Sequence, residues 1–208
     1  GQDIVIINEP SELFVDITVS DWNNYQIRCN EDSSGFANFI ISGGVAPYLK
    51  SCISNNDTLV SSYVSSVTNL SAGIYDFVVQ DGYGCIYEES ISFLEPAPIE
   101  HNFIATHITC NGLDNASLID SVYGGVGSAN TYSYLWDTGE TTYSLINLSV
   151  GTYSITVTDE NNCVSDSSFI INNNNALDAS VDMNITSEVS CFDFCDGEIG
   201  LFVSGGIP

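Results

Sequence analysis

Basic side chains are almost missing from this 208-residue sequence, which has only Arg28 and Lys50 against 27 acidic residues. Its formal net charge of -25 would repel the phosphates of nucleic acids and anionic lipid surfaces. No apolar run reaches the roughly 18 residues of a membrane span, and no signal peptide is recognisable. We therefore expect neither nucleic-acid binding nor membrane insertion.

Charged residues are scarce too, at 14% of the chain, so the sequence is not an acidic disordered tail. Helical periodicity is also missing. Hydrophobic residues make up 44% and recur with the alternation of half-buried strands. The composition therefore predicts all-β domains of roughly 80 residues.

One stretch occurs twice in the same register, as residues 70–85 and 148–163, 78 residues apart (163 minus 85). Each copy opens with Leu-x-x-Gly-x-Tyr and continues as an alternating strand. This pattern resembles the tyrosine corner of immunoglobulin-like sandwiches. Tyr75 and Tyr153 are therefore predicted to be buried structural residues.

A longer period runs through the whole chain. Cys29, Cys110 and Cys191 are 81 residues apart (110 minus 29, 191 minus 110), and a Gly-Gly pair follows each of them. With turn signals every 8 to 12 residues, the period predicts tandem immunoglobulin-like β-sandwich modules in an extended array, each with at least seven strands. The predicted segments are the last strand of a preceding module (1–9), a first module (10–96), a second module (97–175) and the truncated start of a third (176–208).

Trp136 alternates with Tyr132 and Tyr134, which predicts that it is the core tryptophan of the third strand of the second module. The matching position near Lys50 in the first module is not tryptophan. The first core must therefore be filled differently, and Trp22 is the candidate that could help to fill it.

Seven cysteines recur at module landmarks without the spacing of a zinc site, which indicates disulfides and an oxidising compartment. The obvious bridges lie within modules, Cys29 with Cys85 and Cys110 with Cys163. In an immunoglobulin-like topology, however, these partners lie at opposite poles, roughly 25 Å apart, whereas a disulfide needs Cα atoms within about 7 Å. End-to-end stacking would instead join Cys29 to Cys163.

In that intermodule scheme Cys85 faces a preceding module, while Cys110, Cys191 and Cys195 face the third module or a later one. Cys52 is then the expected free thiol. An opening strand that doubles back before Cys29 would restore the bridges within modules, so both schemes remain open.

Asp81 and Asp159 occupy matching turns, and each is either a weak calcium ligand or a turn former that bonds its own backbone; we favour the turn former. No other cofactor is indicated. Asp120 aligns with the inward position of Phe39, and a bulge is expected to turn it outward. His101 and His107 are expected to be ordinary surface residues. No catalytic residue is predicted, and the chain is not expected to be an enzyme.

The order of these features resembles a known family. A Cys, a turn glycine, a strand, Gly-Gly, a Tyr/Trp strand and then residues 147–163 are similar to the SprB repeat of giant cell-surface adhesins in gliding Bacteroidota. The resemblance covers both complete modules and the beginning of the third. It is looser in the first module, which lacks the tryptophan and has Gln80 before its aspartate.

The resemblance implies export by the type 9 secretion system to the outer face of the outer membrane. It also implies a mobile fibre whose partners are neighbouring modules, the secretion or gliding machinery and, through regions outside this chain, surface polysaccharide or the substratum. In this phylum O-glycosylation would fall at Thr58 and Ser121.

The favoured function is mechanical, a repeat segment that lengthens and stiffens an adhesin. One alternative is a carbohydrate-binding module, for which Tyr83, Tyr87 or Tyr143 would form a flat platform. Another is a set of accessory sandwiches of a secreted enzyme whose catalytic domain lies elsewhere.

Overall fold

The computed structural model describes residues 8–54, 57–62, 64–109, 112–128, 131–173, 176–193 and 195–205, without the side chains of 57, 58 and 60–62. The described residues form fifteen β-strands and no helix. None of them therefore belongs to a helix long and apolar enough to cross a membrane.

Seven strands build the first module: β1 (Phe14–Val19), β2 (Gly35–Ser42), β3 (Leu49–Ser54), β4 (Asp57–Ser62), β5 (Ser66–Leu70), β6 (Gly73–Gln80) and β7 (Ile86–Phe93). One sheet has the order β1-β2-β5 and the other β4-β3-β6-β7, with antiparallel pairing throughout. This is an immunoglobulin-like sandwich. The strand number predicted for this module is confirmed.

The two sheets of the first module meet through alternating strand positions. In β6, Tyr75, Phe77 and Val79 are buried, as the period of two predicts. The ring of Phe77 packs edge to face against Phe39 of β2, with 5.7 Å between ring centroids. Tyr75 donates its hydroxyl hydrogen to the carbonyl of Ser71, which is the predicted tyrosine corner.

Six strands build the second module: β8 (Glu100–Thr106), β9 (Ala116–Tyr123), β10 (Ser133–Trp136), β11 (Ser144–Leu148), β12 (Gly151–Thr158) and β13 (Val164–Ile171). They form sheets in the orders β11-β9-β8 and β10-β12-β13. The described part of this module thus lacks a counterpart of β4, so the prediction of seven strands is wrong here. The reason is a tight turn directly after β10, in which Gly139 N–H bonds to the Trp136 carbonyl.

Three pairs of equivalent strands in the two modules have matching burial patterns. β2 and β9 have the same succession of buried and exposed positions, and so do β5 and β11, and β6 and β12. Positions can therefore be equated between the modules, which allows their cores to be compared residue by residue.

The largest buried side chains of the two modules lie on different strands. Trp136, 1% exposed, is the core tryptophan of β10, as predicted. In the first module the matching strand, β3, carries the buried Cys52, which pairs with Phe77 of β6. The large rings of Phe77 and Phe93 compensate there, at positions that hold Ile155 and Ile171 in the second module.

Trp22 does not help to fill the first core, and that prediction is wrong. It is 36% exposed, and the guanidinium of Arg28 lies over its ring. Phe77 and Phe93 fill the space beside the small Cys52 instead. Burial and the charge of Asp76 raise the pKa of its thiol to about 11, so Cys52 stays protonated and packs as a small apolar side chain.

The described residues divide into two compact units whose boundaries differ from those of the sequence modules. The first unit comprises the described residues of Gly1–Glu100 together with two turns of the second module, Tyr123–Tyr132 and Thr158–Val164. The second unit holds the rest, including an antiparallel hairpin of β14 (Asp178–Ser187) and β15 (Glu198–Ser204). The two turns therefore pack with the first module although their sequence belongs to the second.

The buried Tyr153 provides a test of the second tyrosine corner. Its hydroxyl donates to the Ser149 carbonyl at 3.0 Å. Tyr153→Ala should lower the free energy of unfolding by roughly 3 to 5 kcal/mol because a buried ring is lost. Tyr153→Phe should cost about 1 kcal/mol because only the hydrogen bond is lost.

Urea denaturation followed by Trp136 fluorescence, in a Trp22→Phe background, would measure both effects. Thr152→Ala, at an exposed position of the same strand, is the matched control. Equal losses for Tyr153→Ala and Thr152→Ala would show that the assigned strand facing is incorrect.

Candidate functional site

A turn held by an aspartate follows strand β6 in the first module. Asp81 Oδ1 accepts hydrogen bonds from the backbone N–H groups of Tyr83 and Cys85, and Oδ2 accepts one from Val45, all at 2.9 Å. The Asp81 N–H in turn donates to the Cys85 carbonyl. One carboxylate thereby fixes the direction in which the turn presents Cys85.

The same turn recurs after β12 in the second module. Asp159 Oδ1 accepts the N–H groups of Asn161 and Cys163, and Oδ2 accepts that of Val126, all at 2.8 Å. The two turns therefore share one hydrogen-bond scheme. Both present a cysteine four residues after the aspartate.

Backbone N–H groups point their positive ends at both carboxylates, so the turn-forming interpretation of Asp81 and Asp159 fits better than calcium binding. A cation would have to displace these donors. The described residues contain no group of three or more His, Cys, Asp or Glu side chains that could hold a metal ion.

The same donors act on the ionisation of Asp81. Burial alone would raise the pKa of this carboxyl, but the N–H groups of Val45, Cys85 and Tyr83 together lower it below its ordinary value. The charged form is therefore the one that the folded turn stabilises.

The two turns differ sharply in burial. In the first module Tyr83 is 76% exposed, and Cys85 is an exposed free thiol. In the second module the equivalent Asn161 is 6% exposed, and Cys163 is buried in a disulfide. The second turn is thus a docked version of the first.

Cys163 is bonded to Cys29, with a Cα–Cα distance of 5.6 Å and a sequence separation of 134 residues. This is the intermodule pair, and it excludes both intramodule pairs because each of those needs one of these two sulfurs. Cys52 is free and buried, as expected, while Cys191 and Cys195 are exposed free thiols like Cys85. Cys110 lies outside the described residues.

Asn161 holds the turn against the loop that leads to Cys29. Its Nδ2 donates to the carbonyls of Trp22 and Arg28, both at 3.2 Å, and its Oδ1 accepts from Asn23 Nδ2 at 2.6 Å. All of these residues and both bridge cysteines belong to the first unit. These hydrogen bonds therefore hold the two cysteines close together, in addition to the disulfide itself.

The receiving loop exists because the first module has more residues there than the second. Residues 20–28 separate β1 from Cys29, whereas only residues 107–109 separate β8 from Cys110. The extra length forms a tight turn in which Trp22 and Tyr25 bond to each other through their backbones. The sequence predicted that this extra length could let the opening strand double back and restore the bridges within modules, whereas it forms the loop that receives Asn161. Asn161 itself was not predicted.

A second polar cluster lies inside the second module, where Asp120 and His101 form a pair. Asp120 is 2% exposed, and its Oδ2 lies 2.6 Å from Nδ1 of His101. Nε2 of His101 lies 3.2 Å from the hydroxyl of Ser165. The predictions of an outward-turned Asp120 and a surface His101 are therefore wrong, while His107 is exposed as expected.

The alignment between modules explains this error. The positions of His101, Asp120 and Ser165 correspond to Val15, Phe39 and Tyr87 in the first module, where they are core or core-lining residues. Asp120 keeps the inward position and gains a histidine partner, which removes the need for a bulge. The polar set thus replaces an apolar set at the same place between the sheets.

The order of hydrogen bonds matches that of hydrolytic Ser-His-Asp triads. Ser165, however, lies at an inward position of the regular strand β13 and not on a sharp turn that would present its hydroxyl to a substrate. His101 stacks on Phe103, which in turn contacts Trp136 and Phe169. The cluster is part of the packing between the two sheets, and we assign it a structural role.

This assignment predicts strong coupling between His101 and Asp120. Asp120→Ala should destabilise the second module by roughly 3 to 5 kcal/mol, because it breaks a buried pair. The double variant His101→Val/Asp120→Phe installs the residues of the first module and should recover most of that loss.

Urea denaturation followed by Trp136 fluorescence, again with Trp22→Phe, measures both variants. His107→Val serves as the control because His107 is exposed. Strictly additive losses from His101→Val and Asp120→Phe would contradict a coupled pair.

The hydrogen bonds to the Asp81 carboxylate predict that the stability of the first module depends on pH. Because the pKa of Asp81 is lowered in the folded state, its contribution to stability is fully present above pH 3.8, the ordinary pKa of the carboxyl group. That contribution is lost as the pH falls through the lower pKa of the folded state. Asp81→Asn should therefore lower the melting temperature at neutral pH, and the difference from the unmodified protein should shrink at about pH 2.5.

Thermal melting followed by circular dichroism at the two pH values tests this. Glu88→Gln, at an exposed position of β7, is the control for loss of one negative charge. A difference that stays constant between the two pH values would rule out the charged carboxylate as the stabilising form.

The remaining candidates are the predicted platform tyrosines and the two predicted glycosylation sites. Tyr87 packs against the first core and bonds to Glu89, so it offers no flat platform with Tyr83. Tyr143 is exposed in the second unit. Ser121 is exposed on β9, and the side chain of Thr58 lies outside the described set. Glycosylation of both stays a prediction.

No family model matches the chain, and no curated protein matches it. Among solved structures it is similar to the three N-terminal domains of the highly immunogenic outer capsid protein (Hoc) of bacteriophage RB49. The identity is 15%, the TM-score is 0.46, and the alignment covers 95% of this chain and 71% of the phage protein.

Proposed function

We propose that this chain is a structural repeat segment of a long secreted cell-surface adhesin, which spaces and stiffens the fibre for surface attachment and gliding motility. The observation that carries this proposal is the disulfide between Cys29 of the first module and Cys163 of the second. A bond between successive modules suits a protein that must keep its repeats connected under load.

The exposed turn of the first module extends the same logic to a longer array. It has the hydrogen bonds of the docked turn, yet Cys85 is free and Tyr83 is exposed. In the proposed fibre this turn docks on a preceding module and Cys85 forms a bridge there. Cys110, Cys191 and Cys195 would serve junctions with the third module or later ones, and length would grow linearly with repeat number.

Charge and redox chemistry support the same role. The formal net charge of -25 keeps neighbouring fibres apart by repulsion and favours solubility. Disulfides persist in oxidising compartments, which fits the proposed location outside the outer membrane. The resemblance to SprB repeats supplies the further expectation of type 9 secretion and of contact with the gliding machinery.

Immunogold electron microscopy on intact cells of the source organism tests the proposal. Antibodies raised against the 208-residue chain should label surface filaments without permeabilisation, and an in-frame deletion of the segment should shorten those filaments and weaken attachment. An antibody against a cytoplasmic protein controls for cell integrity. Label that appears only after permeabilisation would exclude a surface fibre.

A further inference from the structure

The connectivity of the Cys29–Cys163 bridge encloses most of the folded chain. Of the strands in the described residues, β2 to β12 all lie between the two cysteines in sequence, and β1, β13 and the β14–β15 hairpin lie outside. The core rings Phe77 and Trp136, one from each module, are both inside the closed loop. A single covalent bond therefore closes a loop of the chain that contains the central strands of both sandwiches.

Tension on a polypeptide follows the shortest covalent path between the two points that are pulled. For a pull on residues 1 and 208, that path runs along the backbone to Cys29, crosses the disulfide and continues from Cys163. Backbone between the cysteines cannot be drawn out while the bridge is intact, whether or not its noncovalent contacts hold. The constraint is topological and does not depend on the strength of either core.

We propose that the Cys29–Cys163 disulfide is a tension shunt, which carries mechanical load past residues 30–162 and makes them inextensible under oxidising conditions. The shunt rests on the proposed function for its biological use, because only a fibre anchored at one end and attached at the other carries such a load. Its physical operation can be tested on the isolated chain.

The segments outside the loop determine what yields first. β1 is held to β2 by six residue pairs from Phe14 to Val19, and a pull from the amino-terminal side loads this pairing. The loop after β1 is held next to the bridge by Asn161 through the carbonyls of Trp22 and Arg28. Peeling from this side therefore stops at the disulfide, and the tension does not pass along the backbone of the enclosed strands β3 and β6.

Such a device limits how far a loaded fibre lengthens and leaves the enclosed strands ready to reform their contacts when the load falls. Reduction of the bridge removes the limit. The two cysteines are separated by 134 residue steps, which correspond to roughly 450 Å of extended chain at about 3.3 to 3.6 Å per residue. The redox state of one disulfide thus sets the maximum extension of two modules.

Single-molecule force spectroscopy on the full 208-residue chain tests the shunt, with handles attached at both ends through peptide tags and not through thiols. The oxidised protein should reach a final contour length roughly 450 Å shorter than the same protein in the presence of a reductant. Cys29→Ser/Cys163→Ser should show the long contour length in both conditions. Cys85→Ser, which removes an exposed free thiol, should keep the response to reductant.

Equal contour lengths for the oxidised protein and for Cys29→Ser/Cys163→Ser would overturn the shunt. This readout concerns the fully extended chain, so a variant that folds poorly still reports the presence or absence of the covalent bypass. If the contour lengths are equal but antibodies label surface filaments on cells, the shunt is wrong and the fibre function stands. If the oxidised chain has the shorter contour length but no surface filaments are labelled, the shunt stands and its proposed use is wrong.

Discussion

In each module one aspartate carboxylate accepts three backbone N–H groups and thereby fixes the turn from which the junction is built. Asp159 and Asp81 each hold a turn that presents a cysteine in a fixed direction. In one copy the presented cysteine reaches Cys29, and in the other it is exposed. The same local chemistry thus yields a closed junction at one turn and an open one at the other.

Much of the fold could be predicted because it follows from local periodicity. The alternation in β6 and β12 gave the buried faces, and Leu-x-x-Gly-x-Tyr gave both tyrosine corners. Strand length and the short reach of a disulfide were enough to favour the pairing of Cys29 with Cys163. The tight turn after Trp136 that accompanies the missing seventh strand depends on a few residues whose spacing carries no period.

The errors share a physical cause, which is that partners distant in sequence decide the environment of a side chain. Asp120 has an inward register that is unfavourable for a lone carboxylate, and His101 on the neighbouring strand supplies its partner. Trp22 is an aromatic side chain that the core does not need, because Phe77 and Phe93 already fill the space beside Cys52. Asn161 gives no local sign that it will bond to Trp22 and Arg28.

The proposed fibre and the tension shunt both require a covalent bond between Cys29 of the first module and Cys163 of the second. Non-reducing proteolysis of the oxidised chain, followed by mass spectrometry of the linked peptides, identifies the cysteines that are bonded. The structure predicts a peptide pair that contains Cys29 and Cys163, with Cys52 and Cys85 recovered as free thiols. A peptide pair that links Cys29 to Cys85 would show that the bridge closes the first module on itself and does not join the two modules.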